Sequence, residues 1–424
     1  MNLTTADILI LLSTGLTAFL VSFGLTPLVK KFALKRGWVI PPHPRRIHKV
    51  PMVSIGGLAI FAGFVVAIVG VVLVSMLLGQ PWQDHDLVRI GLLLVGGSLV
   101  AGVMLLNDIM LTRNGRELSP SLRLVCQFLA AALVILPQLL VANNGLGAIP
   151  GIVSRRDILA NRVVVPDKYL GVIIDSINIP DGAFRLGLLA IPLTLFWIMG
   201  MTNTVNWIDG LDGLAAGVVF IGAATLFFEN LFIERNSGAA FPLTSSFLAL
   251  ALACAILGFL PYNWNPAKIF MGDVGAMFLG YALAVIAIID GAKVAATLLI
   301  IGFPVLDVAW VIIYRLLNKR SPFRPDRSHF HHRLLDLGLK QKQIVSVYYL
   351  VCGLFGSIGL FVQDSVAKLV WLTVLVLLIL PLFIYIASRR TQAEIKADRP
   401  PELETKPVST PVSDPKDAPS HKRG

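Results

Sequence analysis

Eleven apolar runs constrain this chain more than any motif. They lie at about 7–29, 55–79, 87–106, 121–141, 186–205, 213–233, 244–260, 276–290, 294–314, 344–362 and 369–387. A helix needs roughly 20 apolar residues to cross the hydrocarbon core of a bilayer, and two of the runs fall short of that length. Only helices and closed barrels satisfy their backbone hydrogen bonds in lipid. The expected fold class is therefore all-α integral membrane, a polytopic bundle of about eleven transmembrane helices with its active-site loops on the cytoplasmic side. Composition agrees: 14% of residues are charged, where a soluble domain carries about 25%. Cys126, Cys254 and Cys352 fall in separate apolar runs and read as core side chains, not as a disulfide or metal set. Residues 1–7 lack Lys and Arg, so the first run is expected to stay as a span and not to act as a signal peptide.

An odd number of spans puts the termini on opposite sides. With the N-terminus outside, 27 of the 36 Lys and Arg fall on inner segments, which places the C-terminus in the cytoplasm. The net charge of +11 then reads as topology and anionic-lipid contact, not as nucleic-acid binding. Residues 1–390 form the transmembrane unit. Within it, 142–185 is an extracytoplasmic insert with β-branched runs (162–165 and 172–174) and a turn at Pro180-Asp181-Gly182, which suits a β-hairpin. The Pro- and charge-rich tail 391–424 is expected to be disordered.

The polar clusters gather on the inner segments. Asn203 to Gly217 reads Asn-Thr-Val-Asn-Trp-Ile-Asp-Gly-Leu-Asp-Gly-Leu-Ala-Ala-Gly. If it is helical, Asn203, Asn206, Asp209 and Asp212 fan across about half the cylinder. A simple turn between two spans would not need two amides and two carboxylates. Asn107-Asp108 ends one span, and Ser119-Pro120 opens the next, with Arg123 following; Asp108 and Arg123 could pair across that loop. Asp273 sits between Gly272 and Gly275 at a helix start, after Asn263 and Phe270. It could be an N-cap or, with the other carboxylates, a magnesium ligand. Phe270 and Asn263 offer a face and an edge to a nucleobase. Gly56-Gly57 opens a helix after Arg45, Arg46, His48 and Lys49, an arrangement that suits phosphate. His329, His331, His332 and Arg333 follow Arg324 and Arg327; zinc spacing is absent, so a pyrophosphate or sugar clamp fits better. Asp307 is an intramembrane carboxylate and a site candidate for that reason. Walker and GxGxxG motifs are missing, which argues against ATP and dinucleotides.

The segments 203–217, 263–275 and 329–338 resemble the polyprenyl-phosphate N-acetylhexosamine-1-phosphate transferases, over about 1–390. The resemblance implies transfer of GlcNAc-1-phosphate, or a related HexNAc-1-phosphate, from a UDP-sugar to a polyprenyl (undecaprenyl) phosphate with release of UMP. The cofactor would be Mg²⁺, with Mn²⁺ as a substitute, and the location the bacterial inner membrane. It implies Asp273 as the metal aspartate with Asn206 beside the ion, and Asp108, Asp209, Asp273 and His329 as the catalytic set. Asp212, Asn263 and Phe270 would hold uridine, and Arg123 the phosphates. His331 and His332 would lie over pyrophosphate and sugar, with Arg46, His48 and Arg333 as further substrate contacts. His-Phe-His-His-Arg and the Arg-x-x-His opening match the UDP-GlcNAc branch better than the phospho-MurNAc-pentapeptide branch. The family usually has two adjacent aspartates where this chain has Asn107-Asp108, and the short insertion 112–117 follows. An active enzyme is still expected, with the Asn107 amide orienting a phosphate oxygen. The rival readings are a phospho-MurNAc-pentapeptide transferase, a catalytically dead scaffold and a transporter. Expected partners are the two substrates and membrane lipids, no nucleic acid, and a homodimer as the assembly to test.

Overall fold

A computed structural model describes residues 5–41, 50–79, 82, 84–140, 151–154, 174, 176–179, 182–237, 244–289, 293–317, 319, 329–362 and 364–388. Its helices are α1 (Thr5–Arg36), α2 (Gly57–Leu77), α3 (Asp84–Asn114), α4 (Pro120–Leu140), α5 (Ala190–Ile208) and α6 (Leu214–Ser237). They continue as α7 (Thr244–Asn263), α8 (Gly272–Ile286), α9 (Val294–Leu317), α10 (Phe330–Asp336), α11 (Gln341–Phe361) and α12 (Ser365–Ser388). Ten of them are long and apolar enough to cross a membrane, so this is a multi-pass membrane protein of the all-α class.

The expected run 276–290 corrects to α8, which begins earlier and has only 15 residues. It is short because it lies at the centre. α2, α3, α5, α6 and α7 all pack on it, and every residue from Val274 to Ile286 is buried. A helix that is apolar all round belongs in such a place. Close packing needs small residues: a Cβ on Gly57 would come within 2.1 Å of the Gly275 Cα. That contact corrects the phosphate reading of Gly56-Gly57. Their N–H groups donate to the Phe270 and Met271 carbonyls, so they fasten α2 to the start of α8.

The insert carries three short strands, β1 (Gly151–Ser154), β2 (Ser176–Ile179) and β3 (Gly182–Arg185), in the order β1-β3-β2. β2 and β3 pair antiparallel, with Ile179 opposite Gly182; Pro180 and Asp181, where the turn is expected, lie outside the described residues. The β-branched run 162–165, the tail 391–424, Arg46 and His48 lie outside the described residues. All three cysteines are free. Buried Lys368 on α12 pairs with Glu229 on α6, as intramembrane charges must.

Candidate active site

The C-terminal ends of α3, α5 and α7 and the N-terminal ends of α4, α6, α8 and α11 meet at one end of the bundle, with α10 beside them. Asp273, in the first turn of α8, is the convergence point. Asn206 Nδ2 donates to its Oδ1 at 2.9 Å. Asn107 Nδ2 donates to its Oδ2 at 3.0 Å, and Arg123 Nη1 donates to the same oxygen at 3.1 Å. Three donors from α3, α4 and α5 therefore hold one carboxylate. Arg123 also pairs with Glu117 at 3.5 Å, so the expected Asp108–Arg123 pair gives way to a bridge from Glu117 to Asp273. Ser119 Oγ accepts the Leu122 N–H, the helix start that Ser-Pro predicts.

Asp108 has another task. Its carboxylate accepts the N–H groups of Asp273 and Val274 at 3.3 and 3.1 Å. It is an N-terminal cap for α8 supplied from α3, with its two acceptor oxygens at the positive end of that helix. Asp273 is thus not the cap of its own helix; it stands in the first turn, held for other use. Gly272 makes the arrangement possible. Its φ is +72°, and a Cβ there would meet Ser54 O at 1.7 Å and Asp108 Oδ2 at 2.6 Å.

Asn107 departs from its expected role. It is 0% exposed; its Nδ2 is spent on Asp273 and its Oδ1 accepts the Leu118 N–H at 2.7 Å. The amide orients the aspartate and not a phosphate oxygen.

The polar ladder 203–212 also corrects. α5 ends at Ile208, with Asp209 as its C-terminal cap residue, so the four side chains do not share one helix. Asn203 faces Gln127, exchanging hydrogen bonds of 2.6 and 3.3 Å. Asn206 and Asp209 stay at the site. Burial, then Asp273, then Asp212 push the Asp209 carboxyl up to about 7. Asp212 Oδ2 accepts from Asn265 Nδ2 at 2.9 Å and the Ala267 N–H at 3.0 Å. Asn263 Oδ1 accepts the Gly213 N–H, and its Nδ2 donates to Ile269 O, each at 3.0 Å. These two residues tie the 209–213 turn to the 264–271 loop that carries half-buried Phe270. Asn265 and Tyr349, whose hydroxyl donates to Gly213 O at 2.5 Å, brace the same turn and were not singled out from sequence.

His331 and His332 lie on the seven-residue helix α10, with His329 just before its first residue, packed into the bundle and not on an open loop. Asp307 anchors it. Its Oδ1 accepts the Phe330 N–H at 2.8 Å, while Oδ2 lies 3.4 Å from Tyr348 Oη and 3.5 Å from His329 Nδ1. The His329 and Trp207 rings are 6.1 Å apart. A Cβ on Gly210 would come within 2.5 Å of His331 Nε2. The structure thus brings α10 against the Asp209 turn. Burial, with His332 and His329 beside it, holds the His331 pKa well below the usual imidazole value. It is a neutral donor–acceptor and not a cationic clamp. Arg333 is buried, 6.0 Å from the Tyr314 ring centroid, and His332 packs on His331 with rings 4.3 Å apart.

A divalent cation fits the donor set. Asp273 and Asp212 lie close enough to Asp209 to raise the cost of charging it, and a cation would relieve that cost. Among the described residues no group of three or more His, Cys, Asp or Glu is placed to hold a metal ion. Magnesium does not require such a group, taking one or two carboxylates and completing its shell with water and substrate phosphate.

The glycosyl transferase family 4 profile matches residues 90–291. That block takes in the residues from Asn107 to Asp273 and leaves the histidine helix outside. A probable undecaprenyl-phosphate N-acetylglucosaminyl 1-phosphate transferase of Bacillus subtilis is 33% identical over 375 residues, covering 87% of this chain and 88% of its own length. A decaprenyl-phosphate N-acetylglucosaminephosphotransferase of Mycobacterium tuberculosis is 29% identical over 367 residues, 81% of this chain and 80% of its own. A phospho-N-acetylmuramoyl-pentapeptide-transferase of Clostridium perfringens is 37% identical, but over 195 residues and 44% of this chain. The similarity to the first of these runs through nearly the whole of both chains, and this chain belongs to glycosyl transferase family 4, the polyprenyl-phosphate N-acetylhexosamine-1-phosphate transferase family that its motifs resemble.

Proposed function

We propose that this enzyme transfers GlcNAc-1-phosphate, or a related HexNAc-1-phosphate, from a UDP-sugar to undecaprenyl phosphate. An oxygen of the lipid phosphate attacks the sugar-bearing phosphorus of the nucleotide sugar. The bond from that phosphorus to the bridging oxygen breaks, and UMP leaves. The observation that carries this reading is the braced Asp273 carboxylate at one end of the bundle, in a chain whose relatives, matched over most of their length, are named for polyprenyl-phosphate sugar transfer. Asp273 would hold Mg²⁺, with Asn206 and Asp209 flanking it. The ion would neutralise charge on the pyrophosphate as the bond to UMP breaks.

The chain's own residues supply the rest. Arg123 reaches the Asp273 side of the site and suits a phosphate oxygen. Phe270 offers a stacking face, while Asp212 and Asn263 hold the loop that presents it. His329 and His331 face the Asp209 turn, where a pyrophosphate or sugar hydroxyl would complete their hydrogen bonds. The dianionic lipid phosphate, with a second pKa near 6, needs little general-base help at neutral pH. We place the enzyme in the bacterial inner membrane with the site on the cytoplasmic face, because most Lys and Arg lie at that end.

The test is a panel of UDP-GlcNAc, UDP-GalNAc and UDP-MurNAc-pentapeptide with undecaprenyl phosphate, with and without Mg²⁺. UMP and a pyrophosphoryl lipid should form from a UDP-HexNAc and only with the metal. Product solely from the pentapeptide donor would replace this reading with the peptidoglycan one. No product from any donor would leave a dead scaffold.

A further inference from the structure

We propose that the cavity between the basic end of α1 and the 264–271 loop binds the phosphate headgroup of an anionic membrane phospholipid. The cavity is about 540 Å³ and is lined by Lys30, Lys31 and Lys35 from α1 and by Tyr262 and Lys268 from the other wall. Lys31 and Lys35 are one helical turn apart, on one face of α1, with Lys30 about 100° round the cylinder. None of the four lysines has a carboxylate partner among the described residues. Four like charges around one cavity repel one another, and an anion inside would turn that repulsion into attraction.

The surroundings favour a lipid over a soluble ion. Leu34 lines the cavity and is itself exposed, and Phe23, Leu28 and Phe32 on the same helix are exposed too. These apolar side chains belong in acyl chains, so the cavity opens where the hydrocarbon-facing surface of α1 gives way to its basic end. Basic pockets between helices at that level recognise anionic headgroups. Tyr262, half-buried and packed on Phe23 with ring centroids 5.2 Å apart, lines the same wall.

The cavity is separate from the catalytic carboxylates. The 264–271 loop divides them: Ala267 N–H and Ile269 O face inward to Asp212 and Asn263, while Lys268 faces the cavity. A lipid bound there would brace the outer side of the loop that carries Phe270, and this inference does not depend on which sugar the enzyme transfers.

Full-length protein in nanodiscs of phosphatidylcholine, titrated with phosphatidylglycerol and read by native mass spectrometry, provides the test. Wild type should bind phosphatidylglycerol in preference to phosphatidylcholine. Each lysine near a membrane surface contributes roughly fivefold in affinity, so Lys31→Gln/Lys35→Gln/Lys268→Gln should weaken the preferred binding about 100-fold. Lys31→Gln and Lys268→Gln alone, one from each wall, should each weaken it about fivefold. Lys319→Gln/Lys342→Gln, at basic positions elsewhere, should leave it unchanged. Wild type without the preference, or the triple variant within twofold of wild type, overturns the proposal. Displacement of phosphatidylglycerol by millimolar inorganic phosphate would reassign the site to a soluble anion. Preference there for undecaprenyl phosphate over phosphatidylglycerol would reassign it to the lipid substrate.

Discussion

The carboxylate centre and the histidine helix meet at the same turn but are built in opposite ways. Around Asp273 three side-chain donors reach its two oxygens, one on Oδ1 and two on Oδ2, and Asp108 caps the helix beneath it. On α10 the backbone is anchored by Asp307, yet neither ring nitrogen of His331 has a hydrogen-bond partner among the described residues, although the residue is 0% exposed. Buried polar groups are normally paired. A braced carboxylate is preorganised for a ligand that must be held at one point, such as a cation. Unpaired buried imidazoles are suited to a ligand that completes their hydrogen bonds on arrival. Damage to the first centre should therefore remove turnover, and damage to the second should weaken it.

The largest effect is expected from Asp273→Ala. It removes the group on which Asn107, Arg123 and Asn206 converge, and turnover should fall about 10³-fold or more, with the protein still monodisperse by size exclusion. Near-normal UMP release at saturating Mg²⁺ would remove Asp273 from the metal role. Asp108→Asn should come next. It keeps the shape but has one acceptor oxygen where the carboxylate uses two, so one of the two N–H groups at the start of α8 loses its acceptor and faces an NH2, a loss of about 1–3 kcal/mol. The rate should fall about 10- to 100-fold together with the thermal midpoint; a lost rate with an unchanged midpoint would mean that Asp108 acts on substrate directly.

Gly210→Ala tests the other centre. The added methyl presses on His331 Nε2, and the displaced imidazole should lower kcat/KM about tenfold. An unaffected rate would show that the His331 position does not matter to the reaction. Asn107→Asp should be milder, a loss of about three- to fivefold at pH 8, because it sets two carboxylates face to face where a donor stood. A proton shared between residues 107 and 273 restores that donor, so the loss should shrink as pH falls. A loss that does not vary with pH would break this account.

The smallest expected effect concerns Asp209. Its folded pKa of about 7 lies above the ordinary 3.8. The stability tied to its protonated form is therefore complete below about pH 4 and is lost as pH rises through 7. Metal-free protein should melt a few degrees lower at pH 8 than at pH 5.5, and Mg²⁺ should recover more of that loss at the higher pH. Asp209→Asn should flatten the difference; an equally steep profile in the variant would assign the titration elsewhere.

Hydropathy alone determined the helical membrane class, ten of the spans and the gathering of polar motifs at one end, because lipid admits few backbone arrangements and short connections keep the ends of successive spans together. It also made Asp273 and Asp209 visible, since carboxylates beside apolar spans require a partner. The motif resemblance added the family. Side-chain assignments were legible only in part. Asn107, Asp108, Asp212 and Asn263 read from sequence as groups facing substrate, and the fold commits much of their hydrogen bonding to holding other residues. No local pattern separates the two uses, because each of the four has a partner 50 to 166 positions away along the chain. The end of α5 at Ile208, the central place of α8 and the close approach of His331 to Gly210 were likewise decided by tertiary packing. Spacing along one helix states which residue types are present; only contact between helices decides which of their atoms are already spent.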